Sequence, residues 1–393
     1  MSGTIEGQQR VRVMVVSHAL TGGGAETQIR AILRHLDRSL FEPFLYLFRG
    51  EEKLGELIPD DISVDVFCGP GSSGRRWRRG VSRFTLARDL AATCRRHRID
   101  VLYDRLINTT LQTAPATWLS GIPRVSAYSS NPDADFASRL KPFPRVQRYA
   151  ARKAYHSAAT VTANSECLRR KVIEFFDLPP DRVVNTPNLI DFAQIQASVE
   201  SADEIDRSDG ATHLICVGRL RSEKGQRDLL HALALLRTRG DQRPMRLHLL
   251  GNGPDEADLR RIASAEQIDD RVEFHGHVEN PFEILGSADL FILPSLDEGS
   301  PNALLEAIAA GVPVIATDCP CGPAEILDNG RLGRLVPVGS PVAIADAISD
   351  YLDDPQSWRS RTDAARTFVE QRHTPRHAIR VLEEVLLDAA NRG

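Results

Sequence analysis

The residues with the most chemistry to offer sit in two loops and at one helix start. In Val217-Gly218-Arg219-Leu220-Arg221-Ser222-Glu223-Lys224-Gly225 an arginine and a lysine stand five residues apart, directly after an apolar run. Arg219 presents a fork of donors and Lys224 a point charge, which together can clamp two adjacent phosphates; a solvated basic loop has the same composition. Residues 288–307 hold Glu298 in a loop, then Ser300 as a good helix cap, Pro301 at the first helical position and Glu306 six residues beyond the cap. At a rise of 1.5 Å per residue, about 9 Å of axis separates that cap from Glu306. One ligand can span this distance, with a hydroxyl-rich group at Glu298, a diphosphate at the helix N-terminus and a ribose at Glu306.

A third loop, Thr21-Gly22-Gly23-Gly24-Ala25-Glu26, follows the run VRVMVV and precedes a helix. Its glycines let backbone approach a phosphate closely, and they suit a plain tight turn equally well. A nicotinamide fingerprint fits poorly, because Thr27 stands where a third spaced glycine belongs. Asp133-Ala134-Asp135 has the form of a metal-binding pair, but 31 aspartates in 393 residues produce about two such triplets by chance. Six scattered cysteines contain no CxxC pair and no zinc-type histidine spacing, and His18 reads as a polar loop residue, so no metal site is expected.

Elements must position these loops. Short apolar runs rich in Val, Ile and Leu alternate with helical patterns of 10 to 15 residues, the sequence form of repeated βαβ units on parallel sheets. Strands are expected near 11–16, 43–48, 64–67, 100–104, 123–128 and 159–163, and again near 212–217, 245–250, 271–274, 289–293, 312–316 and 333–336. The polar, acidic, serine-rich stretch 194–210 reads as a connection between two doubly wound domains, whose ligands belong at the carboxyl ends of the strands. Residues 1–190 carry 28 Lys and Arg against 19 Asp and Glu, a balance of +9, whereas residues 191–393 carry 21 against 34, a balance of −13. Such a split suggests that the halves meet different partners. The longest apolar runs fall far short of the roughly 18 residues of a membrane helix, and the first ten residues lack a secretory signal, so a cytoplasmic protein is expected.

GGGAE near the start, VGRL with Lys224-Gly225, LLGNGP at 249–254, FHGHVEN at 274–280 and the E-x7-E of Glu298 and Glu306 resemble family 4 of the retaining GT-B glycosyltransferases. The likeness runs over nearly the whole chain. The stretch at 311–327 is similar to members that build bacterial surface polysaccharides and lipid-linked oligosaccharides, some from N-acetylhexosamine donors; Cys321 and Ala324 depart from the usual serine and basic residue there. The resemblance implies an α/β GT-B architecture of two Rossmann-like domains facing across a cleft. The expected division is 1–192 as acceptor-side domain, 193–211 as linker, 212–372 as nucleotide-sugar domain, and 373–393 as a helix packing back on the first.

The resemblance also implies roles. Arg219 and Lys224 would hold the donor diphosphate, Glu298 would contact the transferred sugar, and Glu306 would bind the ribose. Ser300, Asn302, Ala303 and Leu304 would meet sugar and phosphate through backbone, Asn252 would line the donor site, Val278 would lie near the base, and Gly23 and Gly24 would face the diphosphate. The expected reaction moves a hexose or N-acetylhexosamine from a UDP sugar to a lipid-linked or polysaccharide acceptor with retention, without metal or other cofactor. Replacing Arg219 or Lys224 is expected to lower turnover and spare folding. Alternatives are a silent sugar-nucleotide-binding subunit and a nucleotide-sugar epimerase. Arg75, Arg76, Trp77, Arg78 and Arg79 form a glycine-flanked run suited to an anionic membrane surface, with a solvated arginine loop or a contact for an anionic acceptor as the alternative, and the protein is expected at the inner face of the cytoplasmic membrane. Nucleic acid is not an expected partner.

Overall fold

The computed structural model describes residues 10–20, 23–50, 54–72, 81–136, 144–201, 207–208 and 210–392. The arginine and tryptophan loop at 75–79 lies outside the described residues, as do Thr21 and Gly22. The chain forms two compact units, Met1–Leu189 with Pro375–Gly393, and Ile190–Thr374. No helix among the described residues is long and apolar enough to cross a membrane.

The first unit is built on β1 (Val11–Ser17), β2 (Phe41–Arg49), β3 (Ser63–Cys68), β4 (Val101–Arg105), β5 (Arg124–Tyr128), β6 (Thr160–Ala163) and β7 (Val183–Asn185). All pairings are parallel, in the order β3-β2-β1-β4-β5-β6-β7. A parallel sheet is covered on both faces, which is why Val13 to Val16 are all fully buried. Val13 and Val15 pack with Leu33 and with Leu382 and Leu386 of the helix Pro375–Asn391, whereas Met14 and Val16 pack with Leu86 and Leu90. The terminal helix is therefore a covering element of this unit.

The second unit holds β8 (Thr212–Val217), β9 (Met245–Leu250), β10 (Val272–Gly276), β11 (Leu290–Leu293), β12 (Val314–Thr317) and β13 (Arg334–Val336). Its order, β10-β9-β8-β11-β12-β13, repeats the doubly wound pattern, with strand order reversing between β8 and β11. Leu214 and Cys216 face one core, and Ile215 faces the other with Leu304 and Leu305.

Three local expectations need correction. The strand β7 has only three residues, too short to stand out as a periodic run. The first part of the expected linker is the helix Phe192–Glu200, capped by the Asp191 side chain and anchored by buried Phe192 and Ile195 in the second unit's core. The helix carrying Glu306 spans Asn302–Ala309, so Pro301 is its cap residue and Ser300 lies one step outside.

Behind β4 and β5, fully buried Asp104 accepts hydrogen bonds from Thr110 (2.6 Å), Thr113 (2.5 Å) and Ser126 (3.2 Å), with Arg124 Nε 3.6 Å away. These contacts fix the start of the helix Ile107–Ser120 against the sheet. Asp104→Asn leaves a buried guanidinium without its counter-charge, and urea unfolding should show a loss of about 3–5 kcal/mol.

Candidate active site

In the second unit the loops after β8, β9 and β11 emerge side by side, because those strands are neighbours in the sheet. The loop after β8 is stitched to both. On one side the Leu220 N–H donates to the Asn252 carbonyl (2.9 Å), and the Asp255 N–H to the Leu220 carbonyl (3.2 Å). On the other the Leu296 N–H donates to the Glu223 carbonyl (2.9 Å). Buried Gln226 holds the Arg219 carbonyl (3.0 Å). Gly225 has φ +67°, and a Cβ there would lie 1.9 Å from the Pro294 carbonyl oxygen. Gly253 is similarly constrained, since its Cβ would meet the Leu220 oxygen at 2.1 Å. Only hydrogen at these positions lets the three loops close up.

This stitching places Lys224 Nζ 2.6 Å from Glu298 Oε1 across the point where strand order reverses. The same oxygen accepts from Ser295 Oγ at 2.8 Å, and the Ser295 carbonyl is itself held by Thr317 Oγ1 at 2.5 Å. Glu298 is thus a largely buried carboxylate, 10% exposed, fixed in direction by a cation and a hydroxyl. Arg219 is exposed and makes no side-chain hydrogen bond or ion pair among the described residues. One cation is paired inside the unit and the other is available to an incoming anion.

The helix Asn302–Ala309 starts four residues after Glu298, and its cap residue Pro301 makes no side-chain hydrogen bond, so the positive end of the helix dipole favours an anion there. Asn302 and Ala303 are half-buried, while Leu304 is fully buried and can meet a ligand only through backbone. Glu306, half-buried on the same helix, has no side-chain partner among the described residues, and burial pushes its carboxyl up to about 7. A carboxylate in this condition gains from ligand hydroxyls that donate to it. Asn252 is exposed at the β9 loop, and Val278, in the loop after β10, packs against the core that includes Leu304.

Gly23 and Gly24 belong to the first unit. Gly23 caps the helix Gly24–His35, and the Glu26 carboxylate folds back to accept from the Gly23 N–H at 3.1 Å. An anion binding at that helix start takes over a place the glutamate holds. Of the Asp133 and Asp135 pair, buried Asp135 has a structural use, accepting from Tyr128 and Ser130, whereas Asp133 is exposed and only its backbone N–H is held, by Asn131. Ser295, Thr317 and Gln226 escaped the sequence reading. Only Ser295, three residues before Glu298, carried any local signal.

The ion pair corrects the expectation that Lys224→Ala spares folding. Each single alanine at Lys224 or Glu298 strands the partner's charge, so both should destabilise, and a double-mutant cycle by urea unfolding should return a coupling of about 0.5–3 kcal/mol. Additive losses would mean that the contact has no energetic weight. Glu306 carries a pH signature. Its folded pKa is raised, so the stability of the protonated form is full below about 4.5 and lost as pH rises through about 7. Glu306→Gln should therefore gain on the order of 3 kcal/mol relative to the native chain between pH 4 and pH 8. Thermal melts across that range check it.

A family model described as Glycosyltransferase Family 4 matches residues 22–194, and one described as Glycosyl transferases group 1 matches residues 211–354. D-inositol 3-phosphate glycosyltransferase of Pseudarthrobacter chlorophenolicus is 30% identical over 233 residues, covering 58% of this chain and 54% of that protein. N-acetylgalactosamine-N,N'-diacetylbacillosaminyl-diphospho-undecaprenol 4-alpha-N-acetylgalactosaminyltransferase of Campylobacter jejuni is 24% identical, covering 56% and 58%. The matches thus span about half the length of these curated relatives. Among solved structures, Anabaena Alr3699/HepE in complex with UDP-glucose superposes with a TM-score of 0.79 at 19% identity, covering 96% of this chain and all of that one, a likeness of fold. Two Rossmann-like units, paired with matches that leave only residues 1–21, 195–210 and 355–393 outside, establish that the chain belongs to the family 4 glycosyltransferases of the GT-B fold.

Proposed function

We propose that the chain transfers a hexose or N-acetylhexosamine from a nucleotide sugar, with UDP as the nucleotide, to a lipid-linked or polysaccharide acceptor with retention of configuration. The observation that carries this reading is the Lys224–Glu298 pair, with a helix start four residues after Glu298 and an unpartnered Glu306. A diphosphate needs cations and amides, and a sugar and a ribose need acceptors; this arrangement supplies both in the required order. The diphospho-undecaprenol acceptor in the name of the Campylobacter relative and the UDP-glucose in the Anabaena structure favour the choice of acceptor and nucleotide.

In this reading Arg219, Lys224 and the amides of Asn302, Ala303 and Leu304 hold the diphosphate. Glu298 orients the sugar hydroxyls, Ser300 and Asn252 line the donor site, Glu306 accepts from the ribose, and Val278 packs against the base. The bond from the anomeric carbon to the diphosphate breaks, and its electron pair leaves on the phosphate oxygen. The acceptor hydroxyl attacks the same face of that carbon, and its proton passes to the departing phosphate. Arg219 and Lys224 stabilise the charge that develops, the work a divalent ion would otherwise do, so the transfer step runs without metal. Arg75, Arg76, Trp77, Arg78 and Arg79 hold the protein at the anionic inner face of the cytoplasmic membrane, near a lipid-linked acceptor.

Turnover of UDP sugars with and without acceptor, read by proton NMR of the product's anomeric centre, tests the proposal. The expected product is an acceptor glycoside with the donor's configuration. Hydrolysis alone, donor epimerisation without acceptor, or binding without turnover would reject it. Arg219→Ala should lower kcat roughly 10²- to 10³-fold, and saturating chelator should leave the transfer rate in place. Binding to anionic vesicles should fall with salt and with serine at the four arginines, and equal binding to neutral vesicles would remove the membrane role.

A further inference from the structure

Three histidines on neighbouring strands meet on one face of the second unit's sheet, and the transfer chemistry uses none of them. His213 stands on β8, His248 on β9 and His275 on β10. His213 Nδ1 lies 2.9 Å from His248 Nε2, and His248 Nδ1 lies 2.9 Å from His275 Nε2. Glu273 pairs in register with His248, and His275 follows two residues later, so their side chains share one face. Glu273 Oε2 is 3.5 Å from His248 Nδ1 and 3.7 Å from His275 Nε2. Three electron-pair donors therefore converge on one point at the edge strand β10.

We propose that His248 Nδ1, His275 Nε2 and Glu273 Oε2 bind a divalent transition-metal ion of the zinc class, with a fourth position open to water. Zinc bonds of 2.0–2.1 Å in tetrahedral geometry separate the ligand atoms by about 3.3 Å. The observed 2.9, 3.5 and 3.7 Å bracket that value, so the ion enters with shifts of a few tenths of an ångström. Two imidazoles and a carboxylate suit zinc and its neighbours over calcium or magnesium, which prefer all-oxygen sites. The surrounding contacts match what metal ligands require. His248, which is buried, engages His213 through its other ring nitrogen, and Arg246 holds the second oxygen of Glu273 at 3.1 Å.

The ion would tie β9 to the edge strand β10 one residue before Gly276, whose carbonyl accepts from the Gly251 N–H at 2.7 Å. The loop carrying Val278 starts at that junction. Local sequence spacing could not reveal the site, since 25 residues separate His248 from Glu273 and only strand pairing joins them.

The test is zinc titration of the full chain, stripped with chelator and dialysed, followed by calorimetry and thermal melting. Glu273→Gln and His275→Ala are the variants of choice, because both side chains reach solvent and their loss leaves the core intact. The wild type should take one equivalent of zinc more than either variant, or bind it at least tenfold more tightly, with a zinc-dependent rise in Tm that both variants lose. Cobalt in place of zinc should give visible absorption bands of a tetrahedral site in the wild type alone. Equal stoichiometry and affinity in all three proteins, or no zinc uptake by the wild type, would overturn the proposal.

Discussion

The ion pair between Lys224 and Glu298 is the contact on which the loop cluster of the second unit depends. It joins the loop after β8 to the loop after β11, the two strands between which the sheet order reverses. A partly buried pair is worth keeping only when its other hydrogen-bonding capacity is met. Ser295 meets it for Glu298, and Thr317 in turn fixes Ser295. The reach of this chain from β12 back to β8 explains why a loop of charged residues keeps one arrangement.

The two cations consequently play unequal parts. Lys224 is already committed to a carboxylate, so an anion that reached it would have to share or redirect that bond. Arg219 is exposed and holds no such commitment among the described residues. Glu306 sits at the opposite extreme, a carboxyl whose burial raises its pKa to about 7 with no cation to offset it. A site with one satisfied carboxylate and one unsatisfied one offers a ligand two chemically different ends, which suits a molecule with a sugar at one side and a nucleoside at the other.

Family membership and geometry constrain different things. The family matches span both units and settle the architecture, while the matches to curated relatives reach only about half of those proteins. The Asp133 and Asp135 pair illustrates the need for geometry, since buried Asp135 is bound to Tyr128 and Ser130 while Asp133 is exposed. The histidine cluster is the reverse case, with no local spacing and converging donors.

The sequence by itself determined the periodic elements. Twelve of the thirteen strands among the described residues, the alternation into α/β units, the loops carrying Arg219, Lys224 and Glu298 and the helix carrying Glu306 could be read because burial on both faces of a parallel sheet forces continuous apolar runs. The exact helix start at Asn302 was displaced by one residue, as proline fits either the cap or the first turn. The helix Phe192–Glu200 was hidden by a polar composition that masks its two buried anchors. Only the tertiary structure decided which charges meet. Lys224 and Glu298 are 74 positions apart, His248 and Glu273 lie on different strands, and the terminal helix finds its place on β1. Such pairings arise from strand order and close glycine contacts between loops, quantities that no local window of the chain contains.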